Sequence, residues 1–437
     1  MKHVLSRIRR PSTCIFAAAL LAPLCGCIYV SESTWSSSSV SDAHSITNRA
    51  LAGDISKSLK SLEVDNRYGL VHVVAGGSDS PNWSWKLSVG AKTDALAVQA
   101  AEAATCKAVD NGGRLSLTVS LPDSFKNAHF QSDLEIRVPK GLTLRVHNQF
   151  GETRVSGPVD DAYIESRNGS TELIGLGGLV RALNSFGPMK VKGAMAATLY
   201  NGYGQMDVSD ISDVLSVVAS FAPLTVKDIG GSVKLHNENG RVTAVNIKGK
   251  TTITTSFADL RAEDIQGEAV LHNQNGKVDA VRVKGNTTID TSFAEARAEQ
   301  IEGNVTIADQ NGRVVVSQVT GTVQARTSFA QMDIEGAGKE YNCHDQNGAI
   351  RLRITSSELV AIDAETSFAP IEVRLPSGLK PAVQARTSFA DIESDFPVLM
   401  KPRGQDPFAD VDAGTPKVRL QNQNGAIRIA SEKMAER

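Results

Sequence analysis

From residue 150 onward, apolar positions follow a long period with a short one inside it. Two four-residue signatures alternate along the chain, Asn-Gln-Asn-Gly and Thr-Ser-Phe-Ala. The third residue of each serves as an anchor. Phe150, Asn168, Phe186, Tyr203, Phe221, Asn239, Phe257, Asn275, Phe293, Asn311, Phe329 and Asn347 follow one another in steps of 18 residues, with a single step of 17. The spacing then loosens to Phe368, Phe389 and Asn424. Inside a period the pattern alternates in twos, not at helical spacing. Leu224, Val242, Leu260 and Val278 come three residues after an anchor. Val226, Ala244, Ala262 and Ala280 come five after, and Ile229, Ile247, Ile265 and Val283 come eight after. Gly231, Gly249, Gly267, Gly285, Gly303 and Gly321 come ten after, and Leu235, Ile253, Leu271 and Ile289 fourteen after. Short alternating strands separated by small residues at two fixed corners describe one coil of a parallel β-solenoid, with each inward column stacking like on like. The fold class expected is therefore all-β. At neighbouring-strand spacing, about fifteen rungs make a rod of roughly 70 Å.

The full period is two rungs, because the outward columns alternate. Two residues after the anchor, successive rungs carry Arg241, Asp259, Lys277, Glu295 and Arg313; two further on they carry Arg261, Asp279 and Arg297. Opposite charges thus fall on adjacent rungs, and a slip by one rung would stack like charges. The anchor alternates as well. The expectation is that the Phe ring points inward and seals one corner, while the Asn takes the left-handed backbone of a tight turn.

The ends differ from the middle. Asn66-Arg67-Tyr68-Gly69 reads as a first rung, after which the repeat stops. Residues 83–89, 115–121 and 134–138 read as strands, and the Ala-rich stretch 94–107 as a helix. Residues 54–148 are expected to form the first rung and a small α/β cap, since an exposed solenoid edge invites polymerisation. The solenoid proper runs over 149–437, with a Pro- and Gly-containing insertion near 396–416 that forms a loop or C-terminal cap.

Ahead of the fold, Lys2, Arg7, Arg9 and Arg10 precede an apolar stretch, residues 14–24, too short to cross a membrane as a helix. Leu24-Cys25-Gly26-Cys27 follows and resembles the lipobox of bacterial lipoproteins. The resemblance implies a signal peptide over 1–26, cleavage after Gly26 and lipid on Cys27. It also implies an outer-membrane destination, since Ile28 and not Asp follows the cysteine. The Ser-rich stretch 27–53 reads as a flexible tether. Besides Cys27, the mature chain keeps Cys106 and Cys343, for which a disulfide is possible but has no support in the spacing. A net charge of −2 over 437 residues gives no global attraction for nucleic acid.

The Val-x-Asn-x-x-Gly element near residue 64, the interrupted hairpin-and-helix segment and the recurring Asn-Gly rungs resemble the bacterial "putative adhesin" family of envelope β-solenoids, whose function is unknown. The resemblance covers residues 60–430. It implies a right-handed coil and a surface or periplasmic location, and it carries no catalytic residues to transfer.

The candidate chemistry is sparse. Parallel β-helices that cleave polysaccharides cluster acids in a groove; here Asp259, Asp279, Glu295 and Glu299 each have a basic residue close by in the lattice. His147, His236, His272 and His344 form an outward column. His236 and His272, two rungs apart, stand about 9.6 Å from each other, too far to share a metal ion. His272 with Asp290 is the nearest approach to a surface site. Asn237, Asn273 and Asn422, with Asp309 and Asp345, form a ladder suited to a glycan or to the backbone of the turn. Trp83 and Trp85 suit a sugar or the packing of the cap. No catalytic residue, metal or cofactor is expected. The expected role is a non-catalytic, lipid-anchored envelope rod that binds protein or glycan along a face. A periplasmic sensing or assembly partner and a β-helix carbohydrate-active enzyme are the other readings.

Overall fold

The computed structural model describes residues 45–77, 80–399, 406 and 408–433. Cys27 and the expected signal peptide lie outside the described residues. Each rung gives one strand to each of two long, mainly parallel sheets; the first has nineteen strands, two of them, Ser45–Asp54 and Asn82–Ala91, added antiparallel at its end. In the repeat region the register advances by one period per rung: Val242 lies opposite Leu260, which lies opposite Val278, and Ile253 lies opposite Leu271. The inward columns predicted from the pattern form one continuous core, with Leu224, Val226, Ile229 and Leu235 and their counterparts almost fully buried. The parallel β-solenoid is thus the fold of this chain, and very little of it is helical.

The corners break the alternation. Buried positions step from five residues after the anchor to eight after, as from Ala244 to Ile247, so two consecutive residues face out between them. The second of these is held in the left-handed region: Asp210, Asp228, Asn246, Asp264, Arg282, Gln300 and Gln318 have φ of 54–58°. The left-handed conformation expected of the anchor Asn therefore belongs to the residue seven further on. The first four are Asp or Asn, which tolerate it best; Arg282, Gln300 and Gln318 adopt it at a cost of roughly 1–2 kcal/mol each, sustained by the stacked rungs on either side.

The anchor corner behaves in the same way. Asn237 or Thr255, two before the anchor, points inward, and the Gly or Ala after the anchor closes the turn. The anchor itself is left outside. Phe257, Phe293 and Phe329 are 62–63% exposed. The inward, sealing Phe is corrected: strict alternation does not carry across a bend, and the polar residue two before takes the inward place.

Both ends are interlocked. The rung at 61–75 is first in sequence but second in space, because the strands Arg114–Ser120 and His129–Val138 pair on its outer side and Thr143–Phe150 on its inner side. Asn82–Ala91 then adds antiparallel to His129–Val138, and Ser45–Asp54 adds antiparallel to Asn82–Ala91. The stretch expected as tether up to residue 53 therefore ends in a strand that begins at Ser45. The helix is Asp94–Ala103, shorter than expected, since the strand Thr105–Asp110 follows it. Thr93 accepts from the Leu96 amide at its start, and Arg49 donates to the Ala104 carbonyl (2.9 Å) at its end, where helix carbonyls lack partners. At the far end, Lys417–Asn422 and Ile427–Glu432 are last in sequence but slot between the rung at 361–376 and the rung at 382–394. Parts of the expected insertion pack at this end: Val398 bridges Val383 of the outermost rung, and Phe408 is buried beneath Lys417 and Arg419 of the inserted one.

Candidate functional site

The charge lattice accounts for the outward acids that the sequence singles out. Arg241 meets Asp259 across one rung at 3.5 Å, and Lys277 meets both Asp279 and Glu295 at 3.2 Å. Arg297 holds Glu299 at 2.6 Å. His272 lies 3.5 Å from Asp290 on the next rung, and His344 lies 3.6 Å from Glu365. His236 stacks between Val218 and Thr254. Among the described residues no group of three or more His, Cys, Asp or Glu could hold a metal ion.

The ladder two residues before the anchor serves the backbone. Asn237 Nδ2 donates to the carbonyls of Ala222 and Gly240, both at 3.0 Å; Asn273 donates to Ala258 and Asn422 to Ala369. These asparagines are buried, which removes them from any glycan surface. Asp309 and Asp345 take the same place and accept from the amides of Gly312 and Gly348. Burial pushes both carboxyls above the ordinary carboxylate range, with those amide bonds pulling back. A carboxyl raised in the fold binds its proton more tightly folded than unfolded. Stability is therefore lost as pH climbs from the ordinary carboxylate value through the raised one. Asp309→Asn is expected to stabilise by about 0.5–2 kcal/mol at pH 7, as repeat-consensus changes commonly do. Asn422 shows that an amide oxygen accepts the same Gly amide bond, here from Gly425 at 3.0 Å. Thermal melts at pH 7 and at pH 3 check this: the gain should vanish in acid, and a gain equal at both pH values would contradict the burial argument.

Trp83 and Trp85 are buried in the cap, where Trp85 Nε1 donates to Ser132 Oγ at 2.7 Å, so they pack the first rungs and do not face a sugar. Cys106 and Cys343 are both free, and burial pushes each thiol up to about 12.

What remains uncommitted is the anchor column. Tyr68 stacks on Phe150, and Phe186, Tyr203 and Phe221 form a triple stack, all at 5.0 Å between centroids. Planes within 5° of parallel at that separation put the ring faces along the rod axis, with the edges standing outward as fins. From Phe221 on, fin and Asn-Gly alternate strictly. The interlocked end preserves this. In sequence Phe368 and Phe389 follow each other directly, but in space the Asn424 rung lies between them. Asn275, Asn311, Asn347 and Asn424 are held down by their side chains on a neighbouring rung, Asn275 donating to the Ser256 carbonyl at 3.3 Å and Asn347 to that of Ser328 at 3.0 Å. The glycine after each adds no side chain, so the short Asn is what stands in the gap. Sequence reasoning found these positions but reversed their direction. The usable signal was the three-residue step between inward positions, visible at the other corner between Ala244 and Ile247.

No family model and no curated protein matches the chain. Among solved structures, a "putative cell adhesion protein" from Clostridium sporogenes ATCC 15579 aligns over 88% of this chain and 100% of its own, with 8% identity and a TM-score of 0.16. A TM-score that low carries no argument about fold or role.

Proposed function

We propose that this protein is a non-catalytic, lipid-anchored rod of the bacterial envelope that binds through its long side, in the manner of an adhesin. The observation that carries this reading is the file of exposed aromatic rings along one corner. Scattered exposed aromatics need no explanation, but a regularly spaced file of them along one water-facing edge marks a contact surface. The pairing of the outward acids favours binding over glycan cleavage. The anchor rests on the lipobox-like sequence at Cys27.

Protease shaving of intact cells that carry the native chain or Cys27→Ser tests the reading. The native chain should fractionate with the outer membrane and be cut by external protease, and Cys27→Ser should be released from the membrane. Native protein that resists shaving until the envelope is opened would overturn the adhesin-like role and favour a periplasmic assembly or sensing partner.

A further inference from the structure

The alternating half of the anchor corner is a comb. Its teeth are Phe221, Phe257, Phe293, Phe329, Phe368 and Phe389, spaced by two rungs, about 9.6 Å. Its gaps are the Asn-Gly rungs. A tooth from elsewhere placed in a gap would lie about one rung, ~4.8 Å, from a phenyl face on either side. That is close to the 5.0 Å at which Phe186, Tyr203 and Phe221 already stack within this chain. The surface that presents teeth at this spacing is the comb itself.

We infer that two copies of the chain zip side by side and antiparallel along this corner, the phenyl rings of one filling the Asn-Gly gaps of the other. The direction follows from symmetry. A twofold axis along the rod sets teeth against teeth at equal height, whereas a twofold across the rod can always be placed so that teeth meet gaps. The area suffices. A phenylalanine offers ~200 Å² and these rings are more than half exposed, so five engaged teeth per copy bury on the order of 1,200 Å² in total, above the ~1,000 Å² that a specific interface needs. Charge does not oppose it. Beside the rings stand Ser256, Ser292 and Ser328, and beside the gaps Gln274, Gln310, Gln346 and Gln423, all neutral, with Glu238 at the Asn239 gap the single charge in this position. The exposed faces also show what is missing: Phe221, with one ring neighbour, is 53% exposed, whereas Phe293 and Phe329, with none, are 62–63% exposed. This inference rests on the side-binding reading, and it names the partner as a second copy, carried by an opposing surface because the rods run in opposite directions.

Sedimentation velocity on the purified full chain carrying Cys27→Ser should show a concentration-dependent monomer–dimer equilibrium. The triple variant Phe257→Ala/Phe293→Ala/Phe329→Ala should remain monomeric at concentrations where the parent is mostly dimer, and should melt with the parent at dilutions where both are monomers, because the rings lie outside the core. Ser292→Cys, near the middle of the comb, should give a covalent dimer on oxidation, and Ser388→Cys, at its tip, should not; a parallel pair would crosslink at both. A parent that stays monomeric throughout, or a triple variant that dimerises as well as the parent, overturns the zipper. So does a monomeric parent that is retained on an insoluble glycan through these rings, which would give the comb to a sugar polymer. The two proposals fail separately: dimers in solution with shaving-resistant cells would leave the zipper and remove the adhesin-like role.

Discussion

Tyr341→Ala is expected to destabilise the rod by about 3–5 kcal/mol, in the range for removing a buried aromatic side chain. At the same position neighbouring rungs carry only Val305, Val323 and Ile362. The large ring fits at 341 because the facing corner has lost its side chains. Where other strands end in Ile301 or Val319, this one ends in Gly336, and the register shifts there. Cβ atoms added at Gly336 and Gly338 would lie 3.4 and 3.1 Å from the Tyr341 hydroxyl. The ring therefore occupies space that elsewhere belongs to the aliphatic of the opposite sheet. Alanine here would leave both sides of one rung empty, and stacked rungs close little of such a gap. Chemical denaturation of the variant beside Tyr341→Phe, which keeps the ring, provides the check. Equal losses in both would mean that the hydroxyl and not the ring volume matters.

Gly285→Ala should also be costly, by about 1–3 kcal/mol, for a different reason. Gly285 stands in the column that runs from Gly231 to Gly321, and its φ lies outside the left-handed region, so backbone conformation does not demand glycine. Contact does. A Cβ there would sit 2.4 Å from the Gly267 carbonyl oxygen and 2.6 Å from its carbon, both backbone atoms of the rung before. The rungs would have to part locally, weakening hydrogen bonds on either side. Gly378, where a Cβ meets nothing within 4 Å, is the control. Its alanine variant should be neutral or slightly stabilising by restricting the unfolded chain. A Gly285→Ala melt matching that of Gly378→Ala would refute the close-packing account.

The solenoid was legible because its core is periodic in one dimension. Each inward column sees only its counterparts one rung away, so a spacing in sequence translates directly into a neighbour in space. The same locality made the ion pairs readable, Arg241 with Asp259 and Lys277 with Glu295. Legibility failed where the chain bends. Alternation assigned Phe293 to the interior because the count ran through a corner that consumes an extra residue. It also gave the left-handed backbone to Asn239 when Asn246 holds it. The interlocked ends were hidden for another reason. Nothing in the spacing from Phe368 to Phe389 to Asn424 says that the last rung lies between the other two; only the outcome, a fin-and-gap alternation that stays unbroken in space, reveals the order. Tyr341 was missed because a tyrosine within an alternating strand reads as an ordinary β residue, and its match to Gly336 and Gly338 spans a corner.

The interlocked ends set a timetable for a chain that is made from its N-terminus. Middle rungs can stack one by one as they emerge, each on a finished predecessor. The rung at 61–75 must wait for residues 114–138 before its outer side is covered. At the other extreme, the rung at 382–394 is left facing a gap until residues 417–432, the last strands described, slide in beside it. A product cut short anywhere in the final stretch would keep almost the whole core yet lose the seal on its tip, with two sheet edges bare. Quality control of such a protein can therefore act on a single question, whether the last strands have arrived.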